Sequence, residues 1–316
     1  MISIDTLPDD ALLVIFDHYL YGVQVEGGSQ SVEEAWQSLV HVCHRWRSIV
    51  FESPRRLDLR LVCTGETPVR DRLDVWPDLP LIIQCDGYED PIGSVDNIIA
   101  ALERTDRVCQ INLESVSSSD METVLAAMQE RFSELTNLHL SPDYGTVPVI
   151  PDSFLGGSAP RLEHFSLSRV PFPGLPKLLL SATQLVTLQL TSIPHSGYFP
   201  PDAVATVLPT LTSLNILVLQ FIFPRSCPDR ASLCPPPSTR SIIPVLTHFV
   251  FKGAGEYLED LVAYIDAPQL ESLHIIFFDV IVFDTPQVIQ FISRTPKLKA
   301  LEKAPSSMIS YLTHYD

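Results

Sequence analysis

The stretch Leu185-Val186-Thr187-Leu188-Gln189-Leu190 decides the fold, because it places apolar residues at its first, fourth and sixth positions. Its second half alternates apolar with polar residues, which is typical of a β-strand that buries one face. The steps between successive copies average about 27 residues, and a period of roughly 20–50 residues is the signature of repeat architectures. The pattern starts at seven further positions: Val108, Leu135, Leu162, Leu214, Leu246, Leu270 and Leu298.

Strand patterns alternate with helix patterns along the chain. Two weaker strand patterns come first, at residues 57–61 and 81–83. The clearest helix signal is Ser119-Asp120-Met121-Glu122, a capping box in which the serine should cap a helix. Strand and helix alternating at a fixed period predict an α/β repeat fold, a solenoid with parallel strands. A doubly wound parallel sheet is the alternative, although its strands are usually continuous apolar runs. Further helices are predicted at residues 97–104, 202–208, 257–265 and 287–294.

One face of the predicted sheet should be available to a partner. Successive side chains of a strand point to opposite faces, so the third, fifth and seventh pattern positions point away from the core. These positions are polar in the first four strands that match the full pattern and partly apolar in the later ones. A neighbouring loop, or a Pro-rich insertion at residues 222–244, is the alternative cover for the later strands. We expect a target protein to bind there through Ile216, Val218, His248, Val250, His274 and Ile276.

The first 55 residues predict a separate helical unit. Pro8 suits the first turn of a helix and two aspartates follow it, so a helix should begin near Pro8. A loop is expected around residues 27–29, and Ser31 with Glu34 reads as a capping box that opens a second helical stretch ending at Ser53-Pro54. The first helix has one apolar face of Leu12, Ile15, Phe16 and Tyr19, which Leu13 and Leu20 widen. The second stretch has one apolar stripe of Leu39, Val42, Cys43, Trp46, Ile49 and Val50.

Three segments in this order are similar to the F-box motif: Leu7-Pro8, Leu12-Leu13-Val14-Ile15-Phe16, and Val42-Cys43-His44-Arg45-Trp46-Arg47. The resemblance implies binding to a Skp-type adaptor, which docks on a cullin scaffold that carries a ubiquitin-conjugating enzyme. The alternative is an ordinary helical cap that buries these residues within the same chain. The resemblance assigns adaptor binding to Leu7, Pro8, Leu12, Leu13, Ile15, Phe16, Leu39, Val42, Cys43, Trp46 and Ile49.

The remaining chain resembles the leucine-rich repeats that often follow an F-box, as in fungal-type F-box substrate receptors. The predicted domains are therefore an F-box-like helical domain at residues 1–55 and an irregular leucine-rich-repeat solenoid at residues 56–316. An asparagine ladder cannot form, because the repeat consensus has Asn or Cys at its ninth position and this chain does not. The turns after the strands must therefore satisfy their backbone groups in another way. The ninth positions hold Val116, Asp143, Val170, Ile193, Ile222, Ala254 and Phe278.

Composition and motifs disfavour several other functions. With 38 acidic and 21 basic residues the net charge is −17, so nucleic acid and membrane surfaces are poor partners. The six cysteines form no CxxC pair and should be free and mostly buried, and no metal site is predicted. There is no G-x-S-x-G, GxxxxGK[ST] or HExxH motif, so neither an enzyme nor a cofactor is expected. The N-terminus lacks a secretory signal, which favours the cytoplasm, the nucleus or both.

These features predict the substrate-recognition subunit of a Skp-cullin-F-box ubiquitin ligase, in which the F-box docks on the adaptor and the repeats bind the target protein. Lys252 is the only basic residue on the predicted binding face, so an unmodified target is favoured over a phosphorylated one. The alternative is an F-box-like leucine-rich-repeat scaffold or interaction protein that acts outside a ubiquitin ligase.

Overall fold

The structure is a computed structural model that describes most of the chain. It covers residues 4, 7–26, 32–54, 56–66, 68–76, 78–86, 95–143, 145, 149–222, 240–278 and 285–301. The predicted loop at residues 27–29, the capping residue Ser31 and most of the Pro-rich insertion, residues 223–239, lie outside this range.

The described chain begins with three helices, α1 (Asp9–Glu26), α2 (Val32–Val40) and α3 (His44–Glu52). The second helical stretch is therefore two helices and not one, because the chain turns at residues 41–43. The predicted end of this stretch at Ser53 is confirmed.

A parallel sheet of nine strands follows. Its strands lie side by side in the order of the sequence, whereas a doubly wound sheet reverses its order at a switch point. The strands are β1 (Leu61–Cys63), β2 (Leu81–Asp86), β3 (Val108–Val116), β4 (Asn137–Pro142), β5 (His164–Ser168), β6 (Thr187–Ile193), β7 (Ile216–Phe221), β9 (His248–Gly253) and β11 (Ser272–Phe277). A separate parallel pair is formed by β8 (Ser241–Ile242) and β10 (Ile265–Asp266).

Helices connect most of the strands and pack against one another in sequence order, α4 on α5, α5 on α6, and so on through α10 on α11 apart from α6 and α7. This confirms the predicted alternation of parallel strands with helices in an α/β fold. The helices are α4 (Val69–Val75), α5 (Val95–Leu102), α6 (Ser118–Ala127), α7 (Leu175–Leu179), α8 (Pro201–Val207), α9 (Gly255–Tyr264), α10 (Pro286–Arg294) and α11 (Pro296–Leu301). No helix in the described part of the chain is long and apolar enough to cross a bilayer.

The sequence pattern correctly predicts which strand residues are buried. In the unit that starts at Leu185, the first, fourth and sixth residues, Leu185, Leu188 and Leu190, are all buried. The intervening residues Thr187 and Gln189 keep partial exposure, so the sheet has one covered side and one open side. The covered side packs on the helix layer, because burial of apolar area is the main force that joins the two layers.

Backbone hydrogen bonds connect each strand start to the next. The carbonyl oxygen of Thr136, the second residue of its pattern, accepts the N–H groups of Glu163 at 2.8 Å and His164 at 3.0 Å. We call this recurring arrangement the start ladder. It links equivalent positions of successive units without any side chain. The other carbonyls of the start ladder belong to Glu163, Val186, Asn215 and Thr247.

At the strand ends, backbone conformation and backbone hydrogen bonds take the place of the missing asparagine ladder. Ser115, Arg169 and Ser192, each at the eighth pattern position, adopt positive φ angles of 54°, 59° and 52°. This left-handed turn costs free energy for residues other than glycine, and it lets the apolar ninth residue enter the core. Backbone bonds then continue across units, as when Asp143 N–H donates to Val116 O at 2.8 Å.

Three predicted boundaries were wrong. Leu298 lies in helix α11 and not in a strand, although it has the same proline two residues before it as Leu162, Leu246 and Leu270, because a short apolar run fits either structure. Of residues 57–61 only Leu61 is in a strand, which continues to Cys63. Helix α6 is capped by Ser117, whose Oγ accepts the N–H of Asp120 at 3.2 Å, and not by Ser119. The predicted helices at residues 97–104, 202–208, 257–265 and 287–294 are confirmed as α5, α8, α9 and α10 to within two residues.

The N-terminal helices share one apolar core with the sheet region. Trp36 of α2 is 1% exposed, donates its Nε1–H to the carbonyl of Arg60 at 3.2 Å, and meets Trp76 edge to face at 5.2 Å. Phe51 of α3 contacts both tryptophan rings. The predicted domain boundary at residue 55 therefore falls within continuous packing.

Candidate functional site

Helix α1 is apolar on two faces. The buried face consists of Leu12, Leu13, Phe16 and Leu20, and the Phe16 ring lies 4.7 Å from that of Trp46. The sequence placed Ile15 and Tyr19 on this face, but both are exposed, so the buried face is rotated from the predicted one. The rotation follows from Leu13 and Leu20, which move the apolar centre around the helix.

The second face of α1 meets solvent. Val14 and Ile15 are 45% and 43% exposed, and Tyr19 and Tyr21 are 39% and 64% exposed. At 100° per residue Val14, Ile15 and Tyr21 point away from the buried face, Tyr19 lies at its edge beside Leu12, and the exposed His18 lies between Val14 and Ile15. We call Val14, Ile15, Tyr19 and Tyr21 the α1 outer face. Exposed apolar side chains grouped on one helix mark a protein interaction site, so this face is suited to a partner.

The turn between α2 and α3 adds to the exposed surface. Val42 is 58% exposed, and Cys43 is exposed at the N-terminal boundary of α3. The prediction that Cys43 lies in a buried apolar stripe was wrong, because the turn removes both residues from the helical register. Val42 also lines a shallow depression together with Gln37, Ser38 and His41.

The entrance to α1 is fixed by Arg45. Its guanidinium group contacts Asp9 Oδ1 at 2.6 Å and donates to the carbonyl of Leu7 at 2.5 Å. These contacts hold the Leu7-Pro8 segment against the start of α3.

The residues assigned to adaptor binding fall into three groups in the structure. Five of them are buried in the chain's own core: Leu12, Leu13, Phe16, Leu39 and Ile49. Two are partly buried: Leu7 and Trp46. Four are exposed: Pro8, Ile15, Val42 and Cys43. Val14, Tyr19 and Tyr21 are exposed neighbours that the sequence reasoning did not assign, because it counted α1 as having a single apolar face.

The open side of the sheet brings the residues assigned to target binding together. Val218 of β7 pairs with Val250 of β9, which pairs with His274 of β11. The other three lie beside them, since Ile216 pairs with His248, and Ile276 pairs with Lys252. The ammonium group of Lys252 lies 5.8 Å from the centre of the Phe278 ring, where a cation–π contact holds it.

The opposite end of the same open side is acidic. Asp86 of β2 pairs with Glu114 of β3, which pairs with Ser141 of β4. Sequence reasoning missed Asp86 because it ended the strand at Ile83. The alternation Ile83-Gln84-Cys85-Asp86 was the signal that could have extended it.

His139 lies between these two ends, on β4. It is partly buried between Asn112 of β3 and Ser166 of β5. Burial lowers the pKa of His139 below its ordinary value of 6.5, and the charge of Glu114 partly offsets this effect. The neutral imidazole is therefore favoured in the folded protein.

The four described cysteines, Cys43, Cys63, Cys85 and Cys109, are free thiols. Burial raises the pKa of Cys109, whose Sγ donates to the carbonyl of Leu81 at 3.3 Å. Within the described ranges, no three His, Cys, Asp or Glu side chains are grouped so that they could hold a metal ion.

No protein-family model matches this chain, and no curated protein or solved structure matches it either.

Proposed function

We propose that this chain is the substrate-recognition subunit of a Skp-cullin-F-box ubiquitin ligase. In this proposal helices α1–α3 form an F-box that docks on a Skp-type adaptor, and the sheet region is an irregular leucine-rich-repeat solenoid that binds the target protein. The transfer of ubiquitin is performed by other subunits.

The α1 outer face is the observation that carries the proposal. Val14 and Ile15 are already more than half covered, so each adds only part of the about 1.5–3 kcal/mol that complete burial of an exposed Val or Ile side chain provides, and the two tyrosine rings add further contact area. Val42 extends the apolar surface beyond α1, on the turn that follows α2. The core residues of the motif, such as Phe16 and Leu39, then act by holding the three helices in place.

The sheet region supports the second half of the proposal. In the described part of the chain, the strands of the parallel sheet follow the sequence order and carry outward-pointing side chains that are mostly at least partly exposed, although Ser141 is buried. On the open side the six residues assigned to target binding lie on three neighbouring strands, which provides the continuous surface that recognition of a protein segment requires.

Co-purification with a Skp-type adaptor tests the proposal. The double variant Val14→Ser with Ile15→Ser removes apolar area from the α1 outer face and should reduce adaptor recovery at least about tenfold. The control is Ile289→Ser on α10, where a similar side chain is 60% exposed, and it should leave recovery unchanged.

Two results would contradict the proposal. If the wild-type chain recovers no adaptor under conditions in which a known F-box protein does, a scaffold outside the ligase is the better description. If the double variant and the Ile289 control recover equal amounts, α1 is not the docking element.

A further inference from the structure

We propose that the target segment is extended, lies across the strands of the open side, and carries basic residues at one end and apolar residues at the other. This inference rests on the proposed role of the sheet as the target-binding part. It adds the chemistry of the bound segment, its length, and its path across the strands.

The first support is the order of chemistry along the sheet. The acidic pair, Asp86 and Glu114, lies on β2 and β3, and the apolar pair, Val218 and Val250, lies on β7 and β9. On the strands between the two pairs, β4 to β6, the outward-pointing side chains include no Asp, Glu, Lys or Arg. One partner that satisfies both ends must therefore cross the strands.

The second support is charge complementarity. From β2 through β6 the outward-pointing side chains include no Lys or Arg. Among the cations beside these strands, Arg107 pairs with Asp78 at 3.0 Å, Arg60 pairs with Asp58 at 3.1 Å, and Arg169 at the end of β5 donates to the carbonyl of Pro142 at 2.8 Å. With a net charge of −17 on the whole chain, the acidic end attracts a basic segment and speeds its association.

The third support is distance. Five strand spacings separate the middle of the acidic pair from the middle of the apolar pair. Neighbouring strands lie about 4.8 Å apart, so the two pairs are separated by roughly 24 Å. An extended chain advances about 3.3–3.4 Å per residue, so about seven residues should separate the basic and apolar anchors of the target.

Both anchors lie on the open side, and their exposure to solvent explains why neither binds the target tightly alone. Glu114 is exposed, and an exposed charge pair contributes little because water and salt screen it. Val218 and Val250 are half-buried, so each offers only part of its apolar area. Two weak contacts joined by a spacer of matching length bind more tightly than either does alone.

Selection from a random peptide library on the purified full-length chain tests the inference. Twelve-residue peptides displayed on phage should be enriched in Lys or Arg at one end and in Leu, Ile, Val or Phe about seven residues away. The same selection on Glu114→Lys should lose the basic preference, and selection on the pair Val218→Thr with Val250→Thr should lose the apolar one. The matched control is Glu122→Lys, an exposed glutamate on helix α6, which should return the wild-type preference.

Affinity measurements on one selected peptide complete the test. Fluorescence anisotropy should show about fivefold weaker binding to Glu114→Lys, and replacing the basic residues of the peptide with Glu should restore binding to that variant. A peptide with only two residues between its basic and apolar residues should bind the wild-type chain more weakly.

Three results would overturn the inference: no enriched peptide, an enriched sequence without basic residues, or binding that is unchanged by Glu114→Lys. Adaptor recovery from the same preparations separates this inference from the proposed function, because the adaptor should bind α1–α3. If recovery persists while peptide selection fails, only the inference about the target is wrong.

Discussion

Helices α1–α3 and the nine-stranded sheet region use apolar side chains in different ways. In the sheet region the strand leucines are covered by the chain's own helices, and exposed apolar side chains such as Val75, Leu180 and Ile289 lie on different segments. On α1, Val14, Ile15, Tyr19 and Tyr21 are exposed together on one helix. The sheet region therefore distributes its most exposed apolar side chains over several segments, whereas α1 presents four exposed side chains on one helix that a second molecule can cover.

The largest expected effect comes from breaking the contact between the two regions. Replacing Trp36 with Ala should lower the free energy of unfolding by about 3–5 kcal/mol, because it removes a fully buried ring and the hydrogen bond to Arg60. Urea denaturation followed by circular dichroism measures this. Tyr21→Ala is the control, since it truncates an exposed aromatic ring and should change stability by less than about 0.5 kcal/mol. Equal losses would show that the shared core does not hold the helices to the sheet.

A smaller effect tests the helix layer of the sheet region. Ser117→Ala should destabilise the protein by about 1 kcal/mol, because the N–H of Asp120 loses its cap. Ser119→Ala is the matched control two residues away, and its effect should be the smaller of the two by thermal or chemical denaturation. A larger loss of stability for Ser119→Ala would identify Ser119 as the capping residue, as the sequence indicated.

The open side should respond to pH through His139. Its pKa is lowered in the folded state, so the unfolded chain binds the proton first as pH falls below 6.5. Stability is therefore fully present above that pH and decreases as pH falls toward the lower folded-state pKa. Denaturation midpoints between pH 8 and pH 5 should fall more steeply for the wild-type protein than for His139→Gln. If the denaturation midpoints of the two proteins change equally with pH, burial of His139 does not cause the pH dependence of stability.

The smallest expected change in stability is the most direct test of the difference between the two regions. Val14→Ser with Ile15→Ser should alter the free energy of unfolding by only about 0.5 kcal/mol, because these residues are exposed and Ser, Val and Ile have similar helix propensities. Leu12→Ser on the buried face of the same helix should cost several-fold more. A large loss in the outer-face variant would mean that these side chains already have a structural role within the chain.

The strand pattern was predictable because its energetics are local and repeated. In every unit from Leu135 to Leu270 the first residue is buried and the strand begins two residues later. Leu298 has the same pattern and, like Leu162, Leu246 and Leu270, a proline two residues before it, yet it lies in a helix. Periodicity alone did not separate these outcomes, because a short apolar run fits either structure.

The N-terminal unit was harder to predict. A stripe through Val42 and Cys43 looked continuous, but a turn of three residues between α2 and α3 exposed both. The sequence contains no Gly or Pro at this turn to mark it. The acidic pair needed tertiary structure for a different reason, since Asp86 and Glu114 are 28 positions apart and meet only through strand register.

The start ladder has a consequence for how this protein can change over time. It fixes neighbouring strands at one point through main-chain atoms, and it places no demand on the number of residues that return through the helix side. The step from Leu214 to Leu246 is the longest of the series, yet Ile216 still pairs with His248. Residues can therefore be inserted between two strands while the spacing of side chains across the sheet is preserved, so a connection can vary without the loss of an existing partner.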